Sequence, residues 1–305
     1  MDKTFKSGFV GIIGKPNVGK STLLNKLIGQ KIAIISSKPQ TTRGKILAIM
    51  TEEDAQIVFL DTPGFHKPKN KLGETMIKAV NDTIADVDML IMVVEPDLVS
   101  NKAEEIIIDK AGDIPSVLVI NKCDTVRRDE ILGVIDFYSK KYGFKDIVPI
   151  SAKTGEGIDV LKKLLKDSLP EGPMFYPEEM ITDQQEKQIV AEIIREKILR
   201  LLDKEVPHGI AVEILQMKYN EQKNIHNICA NIYCEKNSHK GIIIGSGGAM
   251  LKKIGTYARH DCENLLDSKV NLELWVKVKQ DWRNSNNLMK ELGIVEDSKT
   301  DFSDI

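Results

Sequence analysis

Gly14-Lys15-Pro16-Asn17-Val18-Gly19-Lys20-Ser21 is the part of this chain that says most about its fold. It fits the pattern of Gly, four variable residues, Gly, Lys and then Ser or Thr, and it lies between an apolar run (residues 9–13) and a segment with helical apolar spacing (residues 22–28). A strand, a glycine loop and a helix in that order place backbone N–H groups and the positive end of the helix around a polyphosphate. The stretch therefore predicts a phosphate-binding loop rather than an ordinary turn before a helix. Lys20 is expected to reach the β- and γ-phosphates, and Ser21 to ligate Mg²⁺.

The composition limits the class of protein. The 305 residues suffice for two domains, and 42% hydrophobic and 29% charged residues are typical of a globular protein. The net charge of -2 means that any nucleic-acid site must be a local patch. The N-terminus has no signal peptide, and no run approaches the ~18 apolar residues of a membrane-spanning helix, so we expect a cytosolic protein. The four scattered cysteines favour free thiols over a zinc site.

The first half alternates strands and helices. Apolar, β-rich runs at residues 46–50, 57–60, 88–94, 116–120 and 146–150 predict strands, and residues 102–111 and 158–169 predict helices. This alternation predicts an α/β fold with a mostly parallel sheet and helices on both faces. The strand at 57–60 ends in Asp61-Thr62-Pro63-Gly64. An acid at this strand end can hold Mg²⁺ through water, and Gly64 can offer its N–H to a γ-phosphate because it has no side chain.

The strand at 116–120 is followed by Asn121-Lys122-Cys123-Asp124, which predicts recognition of guanine. The Asp124 carboxylate can accept hydrogen bonds from the guanine N1–H and 2-amino group, whereas adenine has no such pair of donors. Asn121 can hold the other edge of the base and brace the phosphate loop, and the Lys122 stem can cover the ring face. Ser151-Ala152-Lys153, after the last strand, can place a backbone N–H at the guanine O6.

Taken in order, these motifs resemble the nucleotide-binding motifs of small GTPases, which implies GTP and GDP with Mg²⁺. The predicted nucleotide-binding residues are Gly14, Lys15, Pro16, Asn17, Val18, Gly19, Lys20, Ser21, Asp61, Thr62, Pro63, Gly64, Asn121, Lys122, Asp124, Ser151, Ala152 and Lys153. The polar connection before residue 46 contains Thr41 and Thr42, and we favour Thr42 as the threonine that ligates Mg²⁺. The predicted metal ligands are then Ser21, Thr42 and Asp61, and the predicted catalytic residues are Asn17, Lys20, Thr42 and Gly64.

Two residues suggest how hydrolysis differs from that of Ras-type GTPases. Phe65 stands where those GTPases carry a water-orienting Gln, so slow intrinsic hydrolysis and another catalytic device or partner are expected. Asn17 resembles the Asn that ligates K⁺ in cation-dependent bacterial GTPases, where the ion takes the place of an arginine finger. A turn residue is the alternative role of Asn17.

The second half begins with a proline-rich break. Pro170, Pro173 and Pro177 predict a linker, which we expect to act as the hinge between nucleotide states. A helix (residues 189–202) and an antiparallel hairpin (residues 210–218 and 225–235) are expected to follow.

A Gly-x-x-Gly loop then precedes a basic helix. The loop is Gly245-Ser246-Gly247-Gly248, and Lys252 and Lys253 lie on the helix. Residues 236–260 contain five Lys or Arg, two His and no acid, which is typical of a surface that faces phosphates. By itself the loop favours an ordinary glycine break. The order α-β-β-α-α-β, completed by a strand at 270–278, instead matches a type II KH domain, whose loop clamps about four nucleotides.

From about residue 9 to about 293 the chain resembles Era, the family of bacterial GTPases with a C-terminal KH domain, within the TrmE–Era–EngA group. Further matches are Gln40-Thr41-Thr42-Arg43, Tyr176-Pro177-Glu178, Ile181-Thr182-Asp183 and residues 192–197 and 272–279. Members of this family usually carry Lys at the position of Ser246. The serine in this chain removes one phosphate contact, which is expected to weaken RNA affinity. The expected domains are a GTPase domain (1–170), a linker (171–183), a KH domain (184–285) and a tail (286–305), acidic and disordered from residue 294.

The resemblance implies a cytoplasmic, monomeric GTPase that binds the 3′ end of 16S rRNA and assists assembly of the 30S ribosomal subunit. It leaves open a peripheral association with the inner face of the cell membrane. Two other functions stay open. One is a GTPase that regulates a protein or membrane partner, with the KH-like domain as scaffold; the other is an RNA-binding protein that holds nucleotide only as a structural ligand.

Overall fold

The structure is a computed structural model, and it describes residues 4–38, 40–65, 68–98, 102–203, 206–292 and 294. The chain forms two compact units. The first contains the described residues of 1–35, 39–67 and 76–184, and the second contains those of 36–38, 68–75 and 185–305. Among the described residues, no helix combines the length and the apolar character needed to cross a bilayer.

The first unit is built on a six-stranded sheet. Its strands are β1 (Lys6–Gly14), β2 (Ile46–Glu52), β3 (Ala55–Asp61), β4 (Met89–Val94), β5 (Ser116–Ile120) and β6 (Asp146–Pro149). The order across the sheet is β2-β3-β1-β4-β5-β6, and only the edge strand β2 runs antiparallel to its neighbour. The carboxyl ends of the parallel strands therefore meet at one edge of the sheet, where ligands bind in folds of this kind.

Helices cover both faces of this sheet. They are α1 (Lys20–Ile28), α2 (Lys71–Ala85), α3 (Lys102–Ala111), α4 (Arg128–Lys141) and α5 (Ile158–Ser168). Neighbouring residues of β1 point to opposite faces: Ile12 packs with residues of α1 and α5 such as Leu24, and Ile13 packs with residues of α2, α3 and α4 such as Ile107. The predicted α/β fold is confirmed. β4 is apolar throughout and β5 is apolar after Ser116, because both faces of the sheet are covered.

The predicted linker packs against the first unit. Gln56 of β3 is fully buried; its Oε1 accepts hydrogen bonds from the N–H groups of Phe175 (2.8 Å) and Tyr176 (3.0 Å), and its Nε2 donates to the Tyr176 carbonyl (2.8 Å). The Phe175 ring stacks on Phe9 with centroids 5.1 Å apart. The expected hinge at residues 170–177 is therefore held in place by a buried amide, and the two compact units divide after Gln184 instead.

The second unit contains a three-stranded sheet covered by helices. Its elements in chain order are α6 (Glu186–Leu201), β7 (Ala211–Asn220), β8 (Ile225–Cys234), α7 (Asn237–Ile244), α8 (Ala249–Leu266), β9 (Lys269–Val278) and α9 (Asn286–Glu291). β7 and β8 form an antiparallel hairpin, and β8 and β9 are parallel. Inward residues such as Ile193, Ile228 and Ile254 share one core. The predicted order α-β-β-α-α-β is confirmed.

The prediction of a tail over residues 286–305 is wrong for its first part. Ser285 caps α9 by accepting a hydrogen bond from the Leu288 N–H (3.4 Å), and Met289 on this helix is fully buried. The buried side chain of Met289 stabilises this short helix through tertiary packing. The composition of the segment does not reveal such a contact. The acidic residues from 296 onward lie outside the described residues.

Candidate functional site

The phosphate loop joins β1 to α1 at the carboxyl edge of the first sheet. Gly19 has φ 99°, and a Cβ at this position would lie 2.2 Å from Nδ2 of Asn121, so the loop admits no side chain here. Asn17 also has a positive φ (68°) and is exposed, a conformation that asparagine tolerates better than most residues. The loop is thus closed around the start of α1.

Lys20 is folded into this loop. Its side chain is almost fully buried, and its Nζ donates hydrogen bonds to the carbonyls of Gly14 (3.1 Å) and Lys15 (2.9 Å). Burial lowers the pKa of Lys20 to about 8, and the nearby Asp61 charge opposes this shift. An anionic phosphate in the loop would favour the charged form, so the ammonium is suited to bind one.

Three predicted metal ligands come together beside Lys20. The Ser21 hydroxyl lies 2.9 Å from the Thr42 hydroxyl and donates to Asp61 Oδ2 at 2.9 Å; Thr42 donates to the same oxygen at 3.4 Å. Burial raises the pKa of the Asp61 carboxyl to about 6, against the opposing effects of the Lys20 charge and the two hydroxyl hydrogen bonds. Asp61 Oδ1 is buried and has no hydrogen-bond partner among the described residues. Two hydroxyls and a carboxylate with an unsatisfied oxygen fit a hydrated Mg²⁺.

The segment after Asp61 lies against the phosphate loop. The buried Thr62 hydroxyl donates to the Ile12 carbonyl (2.8 Å), and the Phe65 N–H donates to the Gly14 carbonyl (3.2 Å). A Cβ on Gly64 would lie 2.7 Å from the backbone of Pro16, so only glycine allows this approach. The Phe65 side chain packs against the core formed with α2, α3 and α4. Its ring is therefore a packing group and not a group that holds water.

The predicted base-binding residues also lie together. Asn121 is buried; its Nδ2 donates to the Val18 carbonyl (2.8 Å), and its Oδ1 accepts from the Ala152 N–H (2.9 Å). One side chain thus joins the phosphate loop to both base-binding segments. Asp124 is exposed and accepts a hydrogen bond from the Ser151 hydroxyl (2.7 Å), which leaves its carboxylate accessible to a base.

Of the remaining predicted residues, Pro63 is buried and Lys153 is exposed. Lys122 has φ 65°, and its ammonium pairs with Glu95, directly after β4. Glu95 was not predicted, because nothing in the sequence around it marks it as a partner of a residue 27 positions away.

In the second unit, the Gly245–Gly248 loop connects α7 to α8. Ser246 and Gly247 are exposed, as are Lys252 and Lys253 on the first turns of α8. Beside the loop, α8 and β9 enclose a groove of about 480 Å³. The apolar part of its lining, called the floor below, consists of Leu251, Val270, Leu272 and Leu274. The polar or basic part consists of Lys252, Thr256, Arg259 and Asn271. The last three were not predicted, although Thr256 and Arg259 follow Lys252 at helical spacings of four and seven.

An apolar floor with basic and amide groups along it suits a single nucleic-acid strand. Bases can lie on the floor while Lys252 and Arg259 face phosphates, and side chains such as Thr256 and Asn271 can hydrogen-bond to base edges. The predicted loop residues and the newly found groove residues therefore form one continuous surface within this unit.

Two segments of the chain match known protein families. Residues 9–122 match the family described as 50S ribosome-binding GTPase, and residues 205–283 match the KH domain. The first segment contains the phosphate loop and ends at Lys122, and the second contains the glycine loop.

Curated relatives match along nearly the whole chain. The GTPase Era of Clostridium kluyveri (strain ATCC 8527) is 54% identical over 290 residues, which cover 94% of this chain and 99% of that protein. The GTPase Era of Clostridium botulinum (strain Langeland) is also 54% identical, over 95% of this chain and 98% of the relative.

Solved structures match in the same way. Era in complex with MgGDPNP and nucleotides 1506–1542 of 16S ribosomal RNA has a TM-score of 0.92 at 40% identity, and the match covers 96% of this chain and 100% of that one. A variant of Aquifex aeolicus Era bound to GDP·AlF4⁻ has a TM-score of 0.91, also at 40% identity and with the same coverage.

Proposed function

The chain belongs to the Era family of GTPases, and from this membership we propose that it binds the 3′ end of 16S rRNA and assists assembly of the small ribosomal subunit. It hydrolyses GTP to GDP and phosphate, with Mg²⁺ as cofactor. One observation carries the RNA proposal: an Era structure that matches 96% of this chain contains nucleotides 1506–1542 of that RNA. We assign GTP hydrolysis to residues 1–170 and RNA binding to residues 184–285.

Guanine is selected by Asp124 and held by the braced base site. The exposed Asp124 carboxylate accepts hydrogen bonds from the guanine N1–H and 2-amino group. Asn121 keeps the phosphate loop and the Ala152 segment in register, so that a backbone N–H there meets the guanine O6. These contacts are largely preformed, which reduces the entropy lost on binding.

The phosphates are bound by the loop amides and by Lys20, which exchanges its two carbonyl partners for phosphate oxygens. Ser21, Thr42 and Asp61 would hold Mg²⁺, which would neutralise the charge that develops on the phosphates. The γ-phosphate orders the segments of Thr42 and Gly64, and its loss on hydrolysis releases them. The RNA affinity of the KH domain then depends on which nucleotide is bound.

Hydrolysis is slow without help, because Phe65 packs against the core and its apolar ring cannot orient water by a hydrogen bond. We propose that Asn17 ligates K⁺ beside the phosphates, where the cation offsets negative charge. The test compares GTP hydrolysis in potassium and sodium salts for the wild type and Asn17→Ala. Stimulation by K⁺ in the wild type alone is expected. Equal stimulation by K⁺ in both proteins would show that Asn17 does not ligate the ion and acts as a turn residue.

The Gly245–Gly248 loop and the adjoining groove bind the RNA. The loop approaches the RNA backbone, Lys252 and Lys253 face phosphates, and the apolar floor receives bases. Ser246 supplies a hydroxyl but no charge, so RNA affinity depends more strongly on the two lysines. We propose that the protein acts as a monomer in the cytoplasm; a peripheral association with the membrane stays a prediction.

The experiment that tests this function is crosslinking-based mapping of bound RNA, once with a GTP analogue and once with GDP. Stronger capture of a segment near the 3′ end of 16S rRNA in the GTP-like state is expected. Identical capture in both states would contradict the coupling, and absence of that segment from both would contradict the choice of RNA.

A charge-reversal experiment separates RNA binding from a scaffold role of the KH domain. Lys252→Glu with Lys253→Glu is expected to weaken affinity for the 3′-terminal RNA by about tenfold or more, because two phosphate contacts become repulsive. Lys218→Glu, an exposed site on β7, is the matched control. Unchanged affinity in the double variant would favour a GTPase that regulates a protein or membrane partner.

A further inference from the structure

The phosphate loop contains a second lysine whose ammonium lies away from its centre. Lys15 extends its side chain to α3, where its Nζ lies 2.6 Å from Oε1 of Glu104. The Glu104 side chain is only 2% exposed, whereas that of Lys15 is 26% exposed. A carboxylate so deeply buried is stable as a charge only when it is paired. The ion pair therefore fastens the loop to α3, and Lys15 contributes its backbone rather than its ammonium to the nucleotide site.

Glu104 is itself fixed from the side of α4. The hydroxyl of Tyr138, which is buried, donates to Glu104 Oε2 over a long distance of 3.4 Å. Burial, and then the charge of Glu104, raise the pKa of Tyr138, so this hydroxyl stays neutral and can donate. Because α3 and α4 both pack against the sheet, the carboxylate is a fixed point to which Lys15 is attached.

The position of Lys15 matters for two contacts of the nucleotide site. Its carbonyl accepts the 2.9 Å hydrogen bond from Lys20. Its neighbour Pro16 is the residue against which Gly64 packs without room for a side chain. A shift of Lys15 would thus move both the lysine that binds phosphate and the surface that receives the segment after Asp61.

We propose that Glu104 is a positioning residue for the phosphate loop: through Lys15 it holds the loop in the conformation that accepts the phosphates of GDP and GTP. This inference rests on the nucleotide site proposed above. Glu104 is not one of the residues assigned above to the nucleotide or to Mg²⁺. It affects nucleotide retention through Lys15, 89 positions earlier in the chain.

The test measures how fast a fluorescent GDP leaves the protein, in Mg²⁺ and an excess of unlabelled GDP. Glu104→Gln removes the charge with little change of shape and is expected to accelerate dissociation by about tenfold or more. Glu105→Gln is the matched control, because Glu105 is the next residue of the same helix and pairs with Lys141 at the surface. The control is expected to retain the wild-type rate.

A double-mutant cycle shows whether the effect passes through Lys15. Lys15→Met is expected to accelerate dissociation as well, and adding Glu104→Gln to it is expected to change the rate little further. A full acceleration by Glu104→Gln in the Lys15→Met background would overturn the proposal, since Glu104 would then act through another contact such as Tyr138. An unchanged rate for Glu104→Gln alone would overturn it too.

Two further measurements separate positioning from general damage. The preference for GDP over ADP is expected to survive in Glu104→Gln, because Asp124 is intact; its loss would count against the proposal. If Glu104→Gln does not fold, Glu104→Asp replaces it, because aspartate keeps the charge on a shorter side chain. An intermediate acceleration of GDP dissociation is then expected. A wild-type dissociation rate would overturn the proposal. Failure of the wild type to bind GDP would instead refute the proposed nucleotide site itself.

Discussion

Removing the Asp124 carboxylate is expected to abolish discrimination between guanine and adenine nucleotides. In the structure Asp124 is exposed, and its carboxylate accepts a hydrogen bond from the Ser151 hydroxyl at 2.7 Å. A bound guanine adds two donors to this carboxylate. Hydrogen bonds to a charged group contribute about 1.5–3 kcal/mol each, so Asp124→Ala should cost about 3–6 kcal/mol of GDP binding, or a factor of about 10² to 10⁴. ADP binding should hardly change, because adenine offers no such pair of donors.

The assay is displacement of a fluorescent GDP by GDP, ADP and XDP in the presence of Mg²⁺. Asp129→Ala is the control, since Asp129 is a carboxylate on α4 whose side chain is 68% exposed. Thermal unfolding is measured in parallel. Asp124→Ala should unfold close to the wild type, because Asp124 is exposed and the Ser151 hydroxyl keeps the hydrogen bond that it accepts from the Thr154 N–H (3.2 Å). Asp124→Asn gives the converse test: its amide can donate to the 2-carbonyl of xanthine, so XDP should replace GDP as the preferred nucleotide.

An unchanged ratio of GDP to ADP affinity in Asp124→Ala would refute the reasoning. The base site would then have to lie elsewhere, although Asn121 braces this one from the phosphate loop. An equal loss of GDP and ADP binding would point to damage to the phosphate loop rather than to lost recognition of the base.

Three further predictions address the metal site, the linker and the C-terminal helix. The pKa of Asp61 is raised to about 6, and Mg²⁺ must displace the proton below that value, so Mg²⁺ affinity should fall by about tenfold per pH unit there. Calorimetry should show this slope for the wild type and not for Asp61→Asn. Equal wild-type affinity for Mg²⁺ at about pH 5 and pH 7 would contradict the prediction. Gln56→Leu should lower the free energy of unfolding by about 2–4 kcal/mol in urea and expose the bond between residues 175 and 176 to proteases, because it removes three hydrogen bonds between a buried amide and the linker backbone. A wild-type cleavage pattern would show that the linker is held by other contacts. Met289→Ala should lower the free energy of unfolding by about 2–5 kcal/mol, because Met289 is fully buried. Met174→Ala is the control, since Met174 is 42% exposed. An equal loss of stability in both variants would mean that α9 is not part of the core.

Most elements of the fold could be predicted because their signals are local. Residues 116–120 form a buried strand, and residues 189–202 carry a helix that ends at Leu201, as their apolar spacing indicates. Three helices, α2, α4 and α9, had no counterpart among the predicted elements. The signal of α2 was present in the sequence: the four buried residues Leu72, Met76, Val80 and Ile84 follow each other at a spacing of four.

The contacts that hold the site together could not be predicted in the same way. The amide of Gln56 meets the linker about 120 positions away, and Glu104 meets Lys15 across 89 positions. Each of these residues looks ordinary in the sequence: a polar residue within a strand and an acid in the first turn of a helix. Their roles follow from which side chain the sheet and its helices place opposite them.

Local patterns along the chain are sufficient to predict its chemistry: a phosphate loop before a helix, a carboxylate for guanine after a strand, and a glycine loop before a basic helix. These are short-range patterns, in which neighbours along the chain fix the local backbone and the available functional groups. The three-dimensional fold was needed to establish which groups are buried, which are paired and where the linker lies. Burial and pairing depend on residues far apart in the chain meeting at one place, and no local spacing contains that information.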